Sequence, residues 1–155
     1  MAVQPIPEGY HSAIPYLSVD DAAKAIDFYK RAFGATERMR MPGPEGKIGH
    51  AEIQIGDSII MLADPFPQAN VKPPKKLGGT TVGIFLYVDD VDSVVQDAVD
   101  AGANLTSAVE EMFWGDRFGQ VQDPFGHQWQ IATHVKDVPP DEMAKRAKEA
   151  MASMR

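Results

Sequence analysis

A histidine and a glutamate lie two positions apart in a segment whose polarity alternates. His50, Glu52 and Gln54 alternate with small or aliphatic residues, which is the period-two pattern of a half-buried strand. We expect the apolar face to pack on a helix, so the three polar side chains project from the opposite face. His50 and Glu52 would then lie about 6.7 Å apart along the strand.

This spacing leaves three interpretations open. A carboxylate base beside an imidazole that titrates near neutrality could perform acid–base chemistry, with Glu52 as the base and His50 as the acid. The same two side chains could be ligands of a metal ion. They could also be a polar pair on a half-solvated sheet face.

The remaining histidines give weaker signals. His127 follows a turn, so we expect it to be exposed at a hairpin end, while His11 precedes the first strand and His134 lies near the end of the last one. One alternative is therefore a divalent metal at a displaced site formed by His11, His50, Glu52 and His134.

The elements that must position these residues occur twice. LSVDD at residues 17–21 returns as LYVDD at residues 86–90, 69 positions later. Each copy opens a run of apolar residues at helical spacing, and the runs end at Gly34 and Gly102. An aspartate at the start caps a helix N-terminus, and a glycine at the end suits the left-handed C-cap.

Strand-like segments surround both helices. Residues 13–19 and 81–88 precede them, and alternating or aliphatic runs follow them. Gly56 opens a tight hairpin turn, and the DPFG at residues 123–126 has the preferences of a type I turn. Short turns between the later strands predict an α+β fold with two strand–helix–strand modules, and argue against a doubly wound sheet.

Composition changes mark the boundaries of these modules. We predict one domain over residues 1–135, with a first module at about 10–64, a Pro-rich linker at 65–79 and a second module at about 80–135. Residues 40–46 are expected to form a loop. Residues 136–155 are predicted to be a C-terminal helical tail with a narrow methionine stripe, which together with the long linker favours a homodimer.

Composition also excludes several kinds of function. The chain of 155 residues has a net charge of −7 and contains no cysteine. The acidic balance argues against nucleic acid and anionic membranes as partners, and the lack of cysteine excludes disulfides, thiolate metal sites and cysteine nucleophiles. Without a signal-peptide pattern or an apolar run of membrane-spanning length, we expect a cytoplasmic protein that binds a small organic ligand.

Taken together, the paired VDD openings, IDFYKRAFG at residues 26–34 and DPFGHQWQ at residues 123–130 resemble the vicinal oxygen chelate superfamily of glyoxalases, bleomycin-resistance proteins and extradiol dioxygenases. MFWGDRFG at residues 112–119 is most similar to the glyoxalase-like branch grouped with phosphonate-operon proteins. The resemblance covers about residues 10–135. It implies two βαβββ modules whose eight strands form an open arrangement around a cleft, followed here by the C-terminal helix.

The resemblance also implies where metal ligands would lie. Members that use a metal place histidine or glutamate on the first and last strand of each module, and these positions fall on Ile14, Met61, Gly83 and Gln130. Three of these residues cannot ligate a metal through their side chains and the amide of Gln130 is a poor ligand. The sequence therefore predicts no cofactor at the usual site.

The cleft that the resemblance implies would instead be lined by aromatic, amide and thioether groups. Under the repeat, Glu52 corresponds to Gln120 and His50 to Phe118. The predicted ligand-binding residues are Tyr16, Met61, Phe85, Tyr87, Trp114, Phe118, Gln120 and Gln130. For Trp114, ordinary packing at a strand entrance is an equal alternative to ligand contact. Stacking surfaces with a few polar groups suit a planar or amphipathic organic ligand.

Three functions compete on this evidence. The first is binding of a small organic molecule without the usual metal-ligand set. The second is an acid–base or metal-assisted lyase, isomerase or dioxygenase that uses His50 and Glu52. The third is a dimeric domain whose cleft is filled by its own aromatic side chains and whose partner is another protein.

Overall fold

The chain forms two compact units that share one topology. The computed structural model describes residues 2–154, so the predicted boundary residues Met1 and Arg155 lie outside the described part. The first unit extends to Thr81 and includes Pro124–His127. The second unit comprises Val82–Asp123 and the chain from Gln128 onward.

The first unit is built around a four-stranded sheet. Its elements are β1 (Tyr16–Ser18), α1 (Ala22–Phe33), β2 (Thr36–Pro42), a 3₁₀ turn (Pro44–Gly46), β3 (Ile48–Ile55), β4 (Ser58–Ala63) and the short helix α2 (Pro74–Leu77). The strand order is β1-β4-β3-β2. β1 runs parallel to β4, and the other pairs are antiparallel.

The second unit repeats this plan and adds a final helix. Its elements are β5 (Gly83–Tyr87), α3 (Val91–Asp100), β6 (Asn104–Glu111), β7 (Asp116–Gln122), β8 (Gln128–His134) and α4 (Pro140–Ser153). The strand order is β5-β8-β7-β6, again with one parallel pair, β5 with β8. The predicted α+β fold with two βαβββ modules and a C-terminal helix is confirmed.

Helices α1 and α3 begin where the sequence indicates, and α1 also ends there. The side chain of Asp21 accepts a hydrogen bond from the Lys24 amide at 3.1 Å, and Asp90 caps α3 in the same way. Gly34 terminates α1 at φ 67°. The C-cap of α3 is Ala101, one residue earlier than expected, and Gly102 follows at φ 121°.

A second contact fixes each helix to the last strand of its module. The Asp64 carboxylate accepts a hydrogen bond from the Ala22 amide at 2.9 Å, and the Thr133 hydroxyl accepts one from the Val91 amide at the same distance. Asp64 and Thr133 are 69 positions apart. The repeat therefore extends from the helix starts to the closing strands.

Burial follows the predicted strand parity. Ala51, Ile53 and Ile55 are buried, so the polar residues between them project from the other face of the first sheet. In the second unit Trp129 and Ile131 are fully buried. The cores of both units therefore lie on the helix-covered faces of the sheets.

Three local expectations need correction. β1 is shorter than residues 13–19, and β2 continues to Pro42 because it pairs with β3 through the segment expected to be a loop. The predicted linker contains α2. The expected exposure of His127 is wrong: its ring is buried, and Nε2 lies 2.8 Å from the carbonyl oxygen of Ser18. Burial follows from this contact with β1, which a local turn pattern does not report.

The C-terminal helix forms as predicted and touches the second unit through Arg146. The Arg146 guanidinium donates to the carbonyl oxygen of Phe113 at 3.1 Å, while no described residue of α4 is buried. None of the helices within residues 2–154 is long and apolar enough to cross a membrane.

Candidate functional site

The predicted pair on β3 is part of a four-residue network in the first unit. Glu52 is only 5% exposed, although it lies on the polar face of the sheet. Tyr10 donates its hydroxyl hydrogen to one carboxylate oxygen, and the His50 Nε2 lies 2.9 Å from the other. The Tyr16 hydroxyl lies 2.8 Å from the His50 Nδ1. Both carboxylate oxygens of Glu52 are therefore engaged.

The hydrogen bonds define the proton positions around His50. A carboxylate can only accept, so Nε2 of His50 carries a hydrogen and donates it to Glu52. In the neutral ring Nδ1 is then an acceptor, and the Tyr16 hydroxyl donates to it. The result is a relay from half-exposed Tyr16 through His50 to buried Glu52.

The charges in this network favour an ionised glutamate and protonated tyrosines. Burial raises the pKa of Glu52, but hydrogen bonds from Tyr10 and His50 outweigh it and lower that pKa below its ordinary value. The hydrogen bond to Glu52 raises the pKa of Tyr10. Burial, followed by the charge of Glu52, raises the pKa of Tyr16. Tyr16 is therefore a hydrogen-bond donor at neutral pH.

Two residues in or beside this network, Tyr10 and Arg38, were not predicted from the sequence. Tyr10 precedes the first strand and carries no periodic signal. Arg38 on β2 lies over the Tyr10 ring at 5.4 Å from its centroid and donates to Gln54 at 3.0 Å. Both contacts depend on strand register and on a chain segment outside any regular element.

The second unit contains a different carboxylate network, centred on Asp116. This residue is 2% exposed. Its Oδ2 accepts hydrogen bonds from the Tyr87 hydroxyl and the Trp114 indole, each at 2.9 Å, and its Oδ1 lies 2.8 Å from the His134 Nδ1. Asp116 was not predicted as a site residue, because two of its three partners, Tyr87 and His134, lie 29 and 18 positions away in the chain.

His134 lies between two carboxylates. Its Nε2 is 2.7 Å from Asp137, while Nδ1 faces Asp116. The hydrogen bond to Asp137, and then that to Asp116, raises the pKa of His134. Burial raises the pKa of Asp116, but hydrogen bonds from His134, Tyr87 and Trp114 outweigh it and lower that pKa. Protonated His134 can donate from both nitrogens at once.

The aromatic side chains predicted to bind a ligand form a continuous surface in the second unit. We define the aromatic surface as Phe85, Tyr87, Trp114 and Phe118. The ring centroid of Phe85 lies 5.0 Å from that of Tyr87 and 5.9 Å from that of Phe118. Trp114 meets Phe118 edge-to-face at 5.8 Å. Phe85 is 44% exposed and Tyr87 60% exposed, so much of this surface is open.

Two amides adjoin the aromatic surface. Gln120 and Gln130 are direct cross-strand partners on β7 and β8, and Gln130 is also the register partner of Phe85. Six of the eight predicted ligand-binding residues therefore belong to the second unit. The other two, Tyr16 and Met61, are register partners in the first unit.

The residues at the family's metal-ligand positions do not fit a metal ion. Gly83 has no side chain, and the Gln130 amide oxygen lies 3.4 Å from the point where a Cβ would stand. Ile14 and Met61 supply no nitrogen or oxygen donor. Across residues 2–154, no group of three or more histidines, aspartates or glutamates is arranged to hold a metal ion.

The alternative set with His11 gains no support from local geometry. His11 is exposed. His50 and Glu52 bond to each other and to tyrosines, while His134 has aspartate partners in the second unit.

This chain matches a family model and is similar to known proteins. The model of the Glyoxalase/Bleomycin resistance protein/Dioxygenase superfamily matches residues 11–131. An uncharacterised protein of Mycobacterium bovis is 49% identical over 132 residues, which cover 83% of this chain and 87% of that protein.

Two solved structures extend the comparison. TnmS3, described as an antibiotic binding protein from Streptomyces sp. CB03234, is 25% identical with a TM-score of 0.58, covering 80% of this chain and 97% of that one. A PhnB protein from Bacillus cereus shares the fold at 16% identity and a TM-score of 0.62, covering 79% and 99% of the two chains. The predicted resemblance is confirmed.

Proposed function

Because the chain belongs to the Glyoxalase/Bleomycin resistance protein/Dioxygenase superfamily, we propose that it binds a small, planar organic molecule on the aromatic surface of its second unit. The observation that carries this proposal is that Phe85 and Tyr87 are exposed, while Tyr87 and Trp114 are anchored by hydrogen bonds. Tyr87 and Trp114 present apolar faces while their polar atoms bond to buried Asp116. Rings held in place lose little freedom when a ligand stacks on them.

The neighbouring polar groups supply specificity for such a ligand. Gln120 and Gln130 offer amide donors and acceptors beside the rings. Ionised Asp116 lies behind the surface and is already bonded, so it positions Tyr87 and Trp114 without meeting the ligand. A mostly apolar site with a few fixed polar groups is typical of small-molecule recognition.

The relatives support a binding function without naming the ligand. TnmS3 is described as an antibiotic binding protein, and the superfamily's description includes bleomycin resistance. We therefore choose a panel of planar aromatic antibiotics as the first compounds to test.

Calorimetric titration tests the proposal. A compound that binds the native chain should bind Phe85→Ala about tenfold more weakly, since the variant loses stacking and apolar area. Leu105→Ala is the matched control. Leu105 is also exposed, but it pairs with fully buried Val121 and therefore faces the other side of the sheet. Equal affinities for both variants would overturn the proposal.

A second candidate function is favoured by the relay in the first unit. Tyr16 is half-exposed, protonated at neutral pH and bonded to His50. It could transfer its hydroxyl proton to Nδ1 of His50 while its own oxygen takes a carbon-bound proton from a substrate, and the reverse transfers would return a proton to the resulting enolate, as isomerase chemistry requires. Glu52 would orient the imidazole, since both of its oxygens are occupied.

Hydrogen exchange separates this candidate from simple binding. Acid–base activation of a small ketone would release its carbon-bound hydrogens into D₂O, which proton NMR detects. The native chain should then accelerate the exchange and Tyr16→Phe should lose about a hundredfold. Exchange at the uncatalysed rate, across a ketone panel, would exclude this role.

A further inference from the structure

A cavity of about 240 Å³ lies within the first unit, apart from the aromatic surface. It is bordered by β1, by the end of β4, by Gly49 on β3, and by the chain that follows β4. Most of its wall is apolar, since it is also bordered by Ala63, Phe66, Ala69 and Val71. A ligand in this cavity would therefore present hydrocarbon to most of the wall.

The polar side chains that border the cavity differ in what they can offer a ligand. The hydroxyl oxygen of Ser18 is buried, and both carboxylate oxygens of Asp64 already accept hydrogen bonds from backbone amides. Tyr16 is 48% exposed, and its hydroxyl bonds to His50 in a contact that solvent can reach. Of these three side chains, Tyr16 is therefore the one left to meet a reacting atom of a ligand.

The cavity and the relay lie on the same face of the first sheet. Tyr16 is the register partner of Met61, and Met61 lies opposite Glu52. Ala63, on the cavity wall, follows Met61 by two positions and so faces the same side. The ring centroids of Tyr16 and His50 are 5.5 Å apart. A molecule in the cavity would therefore lie next to the side chain that begins the relay.

The cavity wall is supported by close packing and carries negative charge. A Cβ on Gly43 would lie 3.1 Å from the tip of the Phe66 ring, so this ring packs directly on a residue without a side chain. Asp64 bonds to the amides of Ala22 and Ile48, which fixes the start of the chain after β4 against α1 and β3. The carboxylate of Asp64 disfavours an anionic ligand.

We propose that this cavity binds the hydrocarbon part of an uncharged ketone, with the carbon next to the carbonyl group lying against the Tyr16 hydroxyl. A dry cavity of about 150 Å³ holds benzene, so a volume of about 240 Å³ accommodates a six-membered ring with an acetyl group. This is the substrate class for the relay of Tyr16 and His50, and its chemistry rests on the second candidate function proposed above.

The proton transfers at this site balance without a further reactant. The Tyr16 oxygen takes a proton from the carbon next to the carbonyl group while the Tyr16 hydroxyl proton passes to Nδ1 of His50, which leaves an enolate. The reverse transfers return a proton to the carbon and restore the ketone. In D₂O the returning proton is replaced by deuterium, because hydroxyl and imidazole hydrogens exchange with solvent.

Heteronuclear NMR titration of the full chain with cyclohexyl methyl ketone tests the binding. Its ring is not planar, so it is a poor stacking partner for the aromatic surface. We expect saturable shifts of the amides of Gly49 and Ala63, and binding of acetone about tenfold weaker because acetone lacks the ring. The anion 4-acetylcyclohexanecarboxylate should also bind more weakly. The absence of saturable binding of the cyclohexyl ketone would overturn the proposal.

Two matched substitutions locate the ligand. Phe66→Ala removes part of the cavity wall and should weaken binding of the cyclohexyl ketone about tenfold, whereas Phe85→Ala makes the same change on the aromatic surface and should leave it unaltered. If Phe66→Ala fails to fold, Val71→Ala decides, since Val71 is 58% exposed and should show a smaller loss. Unchanged affinity in the cavity variant, or a larger loss in Phe85→Ala, would contradict the assignment.

Hydrogen exchange in D₂O separates this proposal from the relay on which its chemistry rests. The native chain should accelerate exchange of the cyclohexyl ketone, over the uncatalysed rate, by a larger factor than that of acetone. Tyr16→Phe keeps the ring and should still bind the ketone, but should lose the acceleration. Saturable binding without acceleration would refute the relay and the contact of the ketone carbon with Tyr16. Equal acceleration of both ketones, unchanged in Phe66→Ala, would overturn the cavity assignment and leave the relay standing.

Discussion

Glu52, the centre of the first network, lies in the middle of β3, whereas Asp116, the centre of the second, is the first residue of β7. By strand register, Glu52 is equivalent to Gln120 and not to Asp116. Glu52 is surrounded by two tyrosines and a histidine, while Asp116 anchors a tyrosine and a tryptophan. The same backbone therefore supports a polar relay in one unit and an aromatic surface in the other.

The difference between the two units shows which features of the repeat maintain the fold and which are candidates for function. The capping aspartates and the helix contacts of Asp64 and Thr133 occur in both units, so they serve the fold. The carboxylate networks occur at different strand positions, so neither is required by the topology. Their residues are therefore the better candidates for function.

The largest expected effect is at the second network. Asp116→Ala leaves the donors of Tyr87, Trp114 and His134 without their acceptor, which should lower the free energy of unfolding by about 3 kcal/mol. Asp116→Asn keeps the shape and should cost less. Urea unfolding followed by circular dichroism measures both. A loss below about 1 kcal/mol for the alanine variant would show that Asp116 does not hold the surface together.

Removing the carboxylate of the first network should lower the free energy of unfolding by less. Glu52→Ala removes the acceptor of two side chains, Tyr10 and His50, whereas Asp116→Ala removes the acceptor of three. We expect a loss of about 2 kcal/mol in the free energy of unfolding, measured in the same way. A loss larger than that of Asp116→Ala would reverse the ranking of the two networks.

The features shared by the units can be tested at Thr133. Its hydroxyl accepts from the Val91 amide and donates to the Val88 carbonyl oxygen, both at 2.9 Å. Thr133→Val preserves the shape and should cost about 1 kcal/mol. Thr106→Val, at an exposed position on β6, is the control and should be nearly neutral. Equal unfolding midpoints for the two variants would show that the hydrogen bonds of the Thr133 hydroxyl do not stabilise the fold.

The smallest expected effect is a pH dependence confined to the second network. The pKa of His134 is raised in the folded chain, so its contribution to stability is complete below the unfolded value of about 6.5 and is lost as pH rises through the folded value. The native chain should therefore exceed His134→Gln in melting temperature by more at pH 6 than at pH 9. A constant difference would show that protonation of His134 does not stabilise the fold.

Acidic pH should destabilise both units, whereas the contribution of His134 is lost when the pH rises. The pKa values of Glu52 and Asp116 are lowered in the folded chain, so their contributions are present above about pH 4 and are lost as pH falls through the folded values.

Local sequence patterns correctly predicted where the helices start and which strand residues share a face. The helix starts at Asp21 and Asp90 follow from capping chemistry beside an apolar period, and both are properties of a few consecutive residues. The shared face of His50 and Glu52 follows from strand alternation. Because such features depend only on residues close together in the sequence, they can be predicted from the sequence alone.

The remaining parts of the sites depend on contacts between distant segments. Tyr10 meets Glu52 across 42 positions, and His127 meets Ser18 across 109. No periodicity encodes these pairings. The same reason explains why Asp116 was missed and why His127 was expected to be exposed.

Tryptophan fluorescence tests the central claim most directly. The chain has two tryptophans: Trp114 belongs to the aromatic surface, and Trp129 is fully buried and bonded to Asp123. A planar compound that binds should change the emission of Trp114 saturably, and this change should vanish in Trp114→Phe while calorimetry still detects weakened binding. Binding without any change in Trp114 emission would contradict the account.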